Sequence, residues 1–185
     1  MFKKMRGFTL IELLIVVAII GILAALLIPN ALAAIQKAKQ KTAMKEIMTM
    51  STGAMDYITD HGDWTGVTQD GDIAQGAGLA LAIAPFYIKS CPANDPWNTP
   101  YRCGVGDAAV IDGYIAASVG DVGDDDFTIA SYGRNGDVGT LMYDPTDPEA
   151  SRYNVSGMAD FDNDLVAWSG NWVVAPATVL VGSGT

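Results

Sequence analysis

Gly7-Phe8-Thr9-Leu10-Ile11-Glu12 opens an uncharged apolar run that continues from Leu13 to Ile28. Phe8 to Ile28 is 21 residues, and as an α-helix that length spans about 31 Å, close to the hydrocarbon thickness of a bilayer. One carboxylate lies inside this run. A charged side chain there costs roughly 2.5 to 3.5 kcal/mol even on a lenient insertion scale, so Glu12 marks a functional position that needs a positive partner. The apolar run itself contains no basic residue.

Working outward, Lys3, Lys4 and Arg6 flank the run on its N-terminal side. The positive-inside bias then puts the N-terminus in the cytoplasm and the rest of the chain across the membrane. A cleaved secretory signal has the same basic and apolar order, but this run is too long, carries Glu12 and passes into a helical pattern without a convincing small-x-small cleavage site. On the other side, Pro29 removes a helical hydrogen bond, so a kink or an unwound stretch is expected near Ala25 to Pro29. Asn30 to Thr59 is rich in Ala, Lys, Gln and Met and has no proline, favouring helix. Met44, Ile47, Met48, Met55 and Ile58 form an apolar stripe with Lys37, Lys41 and Lys45 largely on other faces. One long helix from about Phe8 to Thr59 follows, its first half buried among neighbours and its second half packed on a globular domain. Gly62 is a plausible C-terminal cap, and His61, the single histidine, reads as a surface residue. The organisation predicted is 1–7 leader, 8–28 membrane and assembly helix, 29–59 amphipathic continuation, and 60–185 globular head.

Charge is uneven along the chain. Asp56 to Thr185 carries 18 Asp and one Glu against one Lys and three Arg, a net of −15. Phosphate-backbone binding is driven by Lys and Arg, so nucleic acid is not expected as a primary ligand. Cys91 and Cys103 have no other cysteine to pair with. Outside the cytoplasm a disulfide between them closes a short loop and is worth roughly 3 kcal/mol. Two Cys and one His do not complete a tetrahedral zinc site.

In the head, Pro85 breaks the apolar segment Leu79 to Ile88. Gly113 to Val119, Phe127 to Tyr132 and Leu165 to Val174 alternate in the manner of antiparallel strands, with Val179 to Val181 a weaker candidate. A long helix with a small antiparallel sheet is an α+β fold. Acids gather in VGDVGDDD (119–126) and DFDNDLVAW (160–168). Alternating aspartates in a turn offer the hard oxygens that calcium takes.

KKMRGFTLIELLIVVAIIGILAALLIPN, residues 3 to 30, resembles the N-terminus of type IV pilins and type II secretion pseudopilins. The resemblance implies cleavage by a prepilin peptidase between Gly7 and Phe8, methylation of the new Phe8 amine, and a contact of Glu12 with the Phe8 amine of a neighbouring subunit that sets register in a helical filament. LAIAPFYIKSCPANDPWNTPY, residues 81 to 101, is similar to a passage of major pseudopilins, with Asn98 where that family has glycine. FTIASYGRNGDVG (127–139) followed by DNDLVAW (162–168) is similar to the pseudopilin calcium loop. Carried over, this implies a calcium ion held by Asp162 and Asp164, with Asp160 or Asp137 as third ligand and Ser131 at the start of the loop. Asn135 replaces an aspartate of the family, Thr140 to Met158 is inserted, and the aspartates of 119–126 are the rival location.

The expected function is a structural subunit polymerising through its N-terminal helix into a type IV pilus-like filament or a type II secretion pseudopilus. Its expected partners are copies of itself, the peptidase, an inner-membrane assembly platform and the membrane. The alternative is a low-abundance calcium-dependent binding module at a filament tip. No nucleophile motif, phosphate loop or histidine pair supports an enzyme, and no CxxCH is present for covalent haem. The expected location is the inner membrane as a single-pass protein with a periplasmic head, and then a periplasmic or extracellular filament.

Overall fold

The computed structural model describes residues 7–74, 76–110, 113–114 and 122–177. The chain divides into two compact units, one ending at Gln36 and the other beginning at Lys37. A single helix, α1 (Leu10–His61), supplies most of the first unit and opens the second. It is unbroken at Pro29, so the unwound stretch expected there is absent. The Asn30 side-chain amide donates to the Leu26 carbonyl one turn back (3.3 Å), which adds a hydrogen bond beside the one that proline cannot make. At the other end the Gly62 amide donates to the Ile58 carbonyl (2.7 Å) with Gly62 at φ 92°. That left-handed cap suits glycine.

The second unit contains α2 (Gly78–Ile83) and six strands: β1 (Asp70–Asp72), β2 (Arg102–Val105), β3 (Phe127–Ser131), β4 (Arg152–Tyr153), β5 (Leu165–Trp168) and β6 (Asn171–Pro176). The sheet order is β1-β2-β3-β5-β6-β4, antiparallel throughout except for the parallel pair β4–β6. This is the α+β arrangement expected. The stretch Leu165 to Val174 is two strands rather than one, because Ser169 (φ 43°) and Gly170 (φ 82°) form a tight turn between them. Both central turn residues have positive φ, the geometry whose twist matches that of a hairpin. Gly113 and Tyr114 lie outside any strand, while the rest of the expected 113–119 strand and the 179–181 strand fall outside the described residues.

Neighbouring residues of β3 and β5 divide between two cores with period two. Phe127, Ile129, Leu165 and Ala167 join α1 residues Ala43, Met44, Ile47, Met50 and Ala54 in the main core. Ala130 and Val166 join Tyr114, Val173 and Val174 in a second core on the other side. The buried α1 positions recur every three or four residues, one stripe of a helix. It differs from the sequence expectation in detail, since Met50 is buried while Met55 is 43% exposed. Leu141, Tyr143 and Tyr153 pack on the second core, so the 140–158 segment covers that face of the sheet and supplies β4. Pro85 ends α2 as expected: Ala84, the residue before it, is extended (φ −109°, ψ 142°), the conformation that proline imposes on its predecessor.

Candidate functional site

The helix start is built from Thr9 and Glu12. The Thr9 amide and hydroxyl both donate to Glu12 Oε2 (2.8 and 2.6 Å), and the Glu12 amide donates to Thr9 Oγ1 (3.3 Å). This is a capping box, in which an N-cap hydroxyl and an N3 carboxylate satisfy each other's backbone amides. The Thr-x-x-Glu spacing that announces it is legible at 9–12, though Glu12 as an intramembrane acid draws the attention first. Gly7 and Phe8 stand outside the helix and are exposed, Phe8 by 76%. From Leu10 to Ile35 the large apolar side chains are exposed on every side of α1, and α1 is long and apolar enough to cross a membrane. A helix apolar all round needs lipid or neighbouring helices to cover it.

A second assembly of polar groups organises the head. Asp95 is 5% exposed; its Oδ1 accepts from the amides of Trp97 and Thr99 (2.9 Å each) and its Oδ2 accepts from the Ser131 hydroxyl (2.7 Å). It thereby ties the DPWNTP loop to β3. Trp97 packs on the main core, as a loop anchor. Asn98 has φ 72°, which explains why a glycine stands there in similar loops: among other residues Asn tolerates the left-handed region best. On the helix side, the Tyr101 hydroxyl donates to Glu46 (2.6 Å), and burial together with that carboxylate raises the phenol's pKa.

The residues expected at a calcium site lie in adjoining loops with separate partners. Asp162 accepts both arms of the Arg134 guanidinium (2.7 and 2.8 Å), and Asp164, 1% exposed, accepts from the Tyr114 hydroxyl (2.7 Å) and the Gly139 amide (2.5 Å). Asp160 accepts from the amides of Ser156 and Gly157 (2.7 Å each), and these hydrogen bonds hold its carboxyl below the usual range. Ser131 is bonded to Asp95, and Asp137 is exposed with its amide donating to Asn135 Oδ1 (3.3 Å). In the rival loop Asp126 accepts from the Gly123 amide (2.9 Å) and the Ser169 hydroxyl (2.7 Å), and Asp121 lies outside the described residues. Among the described residues no three Asp, Glu, His or Cys side chains form a metal-holding group. Calcium takes about six to eight oxygens, and a donor set whose leading carboxylate is already paired with a guanidinium does not fit that shell.

Cys91 and Cys103 are both buried in the main core, and Cys91 Sγ lies 3.5 Å from Met50 Sδ. The structure carries both as thiols. Burial pushes the Cys91 thiol up to about 11 and the Cys103 thiol well above its ordinary value, with Cys91 adding to the latter. His61 stacks on Tyr57 (4.2 Å between centroids) at the exposed end of α1.

The chain matches the prokaryotic N-terminal methylation motif over residues 2–28. It is 32% identical over 130 residues to the type II secretion system core protein G of Aeromonas hydrophila, covering 67% of this chain and 90% of that protein. It is 34% identical over 154 residues to the protein of the same name from Vibrio cholerae, covering 75% of this chain and 90% of that protein. To the type IV wide pilus major component PilA4 of Thermus thermophilus it is 40% identical over 92 residues, half of this chain and 70% of that protein. No solved structure gives a significant match.

Proposed function

The chain belongs to the family of type II secretion core protein G and type IV pilin subunits, and from that premise we propose that it is the major, pseudopilus-type subunit of a secretion filament. It is a non-enzymatic structural subunit with a pilin-type N-terminal motif, built to polymerise through its helix. A pseudopilus rather than a surface pilus is favoured by the length of the core protein G matches, which run across the head, and by the DPWNTPY loop.

The observation that carries the assembly reading is the helix start. Among the described residues Glu12 is bonded to its own Thr9, and the apolar surface from Leu10 to Ile35 is exposed on all sides. Cleavage between Gly7 and Phe8 creates an amine one helical turn from Glu12, and the same event in a neighbour supplies the cation that an intramembrane carboxylate lacks. The three leader charges orient the chain with its head on the periplasmic side, and the peptidase then removes them. Platform proteins of the inner membrane extract the subunit into the filament.

Glu12→Leu tests this. The variant is expected to insert and to be cleaved normally, with sheared filaments in electron microscopy falling at least about tenfold, in line with loss of a desolvated ion pair. Normal filaments from that variant would reject the assembly role. Flanking genes for a secretin and a secretion ATPase, against a retraction ATPase, separate pseudopilus from surface pilus, and a copy number far below that of a major subunit would favour the filament-tip module instead. In the oxidising periplasm we expect Cys91 and Cys103 to join. The intact mass of protein isolated with alkylation is expected to lack two hydrogens, and both thiols found alkylated after unfolding would refute the bond.

A further inference from the structure

The loop from Ser131 to Gly139 and the turn from Phe161 to Asp164 meet face to face, joined by backbone hydrogen bonds and by an internal cation. Both arms of the Arg134 guanidinium donate to the two oxygens of Asp162, at 2.7 and 2.8 Å. The Arg134 amide donates to the Phe161 carbonyl at 2.8 Å. Gly133, at φ 67°, lies so close to the turn that a Cβ there would stand 2.7 Å from the Asn163 carbonyl oxygen and 2.8 Å from that of Phe161. Backbone contact of this kind leaves Arg134 only one short span to bridge. The next carboxylate, Asp164, accepts from Tyr114 and from Gly139 at the far end of the same loop.

We propose that Arg134 takes the place of a divalent cation in this head, so that the acidic loop is closed by a residue of the chain and folds without calcium. A carboxylate partly withdrawn from water at the meeting of two loops is stabilised by either a metal or a donor-rich cation. The planar guanidinium presents several N–H donors in a fixed fork that matches a carboxylate, and Arg134 and Asp162 are each about one-third exposed, at 32%, so the pair is partly shielded from water. The same position filled by a small neutral side chain would leave Asp162 without a counter-charge. This goes beyond assembly: it concerns how the head is held together, and it stands or falls independently of whether the filament is a pseudopilus.

The test uses the full-length chain in detergent micelles, with thermal unfolding followed in EGTA and in millimolar calcium, and calcium binding followed by calorimetry. The native chain is expected to melt within about 1 °C of the same temperature in both, and to bind no stoichiometric calcium. Arg134→Ala and Asp162→Ala are each expected to lower Tm by roughly 3 °C or more, with the double variant no worse than the more damaged single one, the signature of one shared interaction. If Arg134→Ala does not accumulate, Arg134→Lys and Asp162→Asn make the same cycle, Lys keeping the charge and losing the fork. A native Tm that drops on adding EGTA, stoichiometric calcium binding, or simple addition of the two losses would each overturn the proposal.

Discussion

At Asp95 three hydrogen bonds meet on one buried carboxylate, two from the DPWNTP loop and one from β3. Asp95→Ala removes an acceptor that leaves two amides and a hydroxyl without their partner, and hydrogen bonds to charged groups are worth about 1.5 to 3 kcal/mol each before compensation by water. We expect a loss of about 3 kcal/mol in denaturant unfolding and a smaller one for Asp95→Asn, which keeps one carbonyl oxygen; an unchanged midpoint would show that the loop is held by Trp97 packing alone. In the sequence this aspartate looks like an ordinary turn residue before proline, since nothing local reveals that Ser131 lies opposite it. Arg134 was hidden for the same reason: its partner is 28 positions away. Glu12 and Gly7-Phe8 stand out locally, as an acid in an apolar run and a junction before it, and they lie within the N-terminal methylation motif. Asn98 was legible as a departure from glycine, and its φ of 72° supplies the reason the position tolerates so few residues.

α1 shows at the scale of an element which signals survive into three dimensions. Composition and length fixed the helix, whereas its buried stripe was misplaced by a few residues toward the C-terminus, because Met is equally at home on a surface and in a core. The small residues Gly53 and Ala54 are buried and let α1 approach the segment after α2; a Cβ at Gly53 would lie 2.7 Å from Ile88 Cγ2. Ile47 is fully buried at the centre of that stripe. Ile47→Ala is expected to cost about 2 to 5 kcal/mol through lost burial and a residual cavity, measured by urea unfolding of the full-length protein, and a cost under about 1 kcal/mol would mean that this face of α1 is loosely packed. The strands β3 and β5 were visible as apolar runs. β1, with sequence Asp70-Gly71-Asp72, was not, since it is polar and becomes a strand only by pairing with β2. The β5–β6 division was written in Ser169-Gly170, a turn dipeptide overshadowed by the apolar residues on both sides.

For the whole molecule, acidity sets the response to pH. Asp63 and Asp144 are held below the usual carboxylate range by hydrogen bonds from Thr65 and Thr146, and Asp160 by the amides of Gly157 and Ser156. A carboxyl that binds its proton less readily folded than unfolded adds stability at pH values above its unfolded pKa, and that stability is lost as pH falls through the folded one. The Tm of the native chain is therefore expected to be level from about pH 8 to 5 and to decline below about pH 4; a Tm that rises on acidification would contradict the sign. The sheet is covered on both faces, by α1 on one and by the 140–158 segment on the other, so that segment belongs to the fold and is not an appended loop. Its role was not legible in the sequence, because Leu141, Tyr143 and Tyr153 form no periodic signal.

Among the described residues the sheet ends in very short strands, β1 with three residues and β4 with two. An open sheet edge is a template on which another chain can add a strand, and short edges offer little ladder for such growth. A filament-forming subunit has two conceivable ways to grow, edge to edge as an amyloid-like ribbon or helix to helix as a filament. Clipping both outer strands closes the first route and leaves polymerisation to the N-terminal helix.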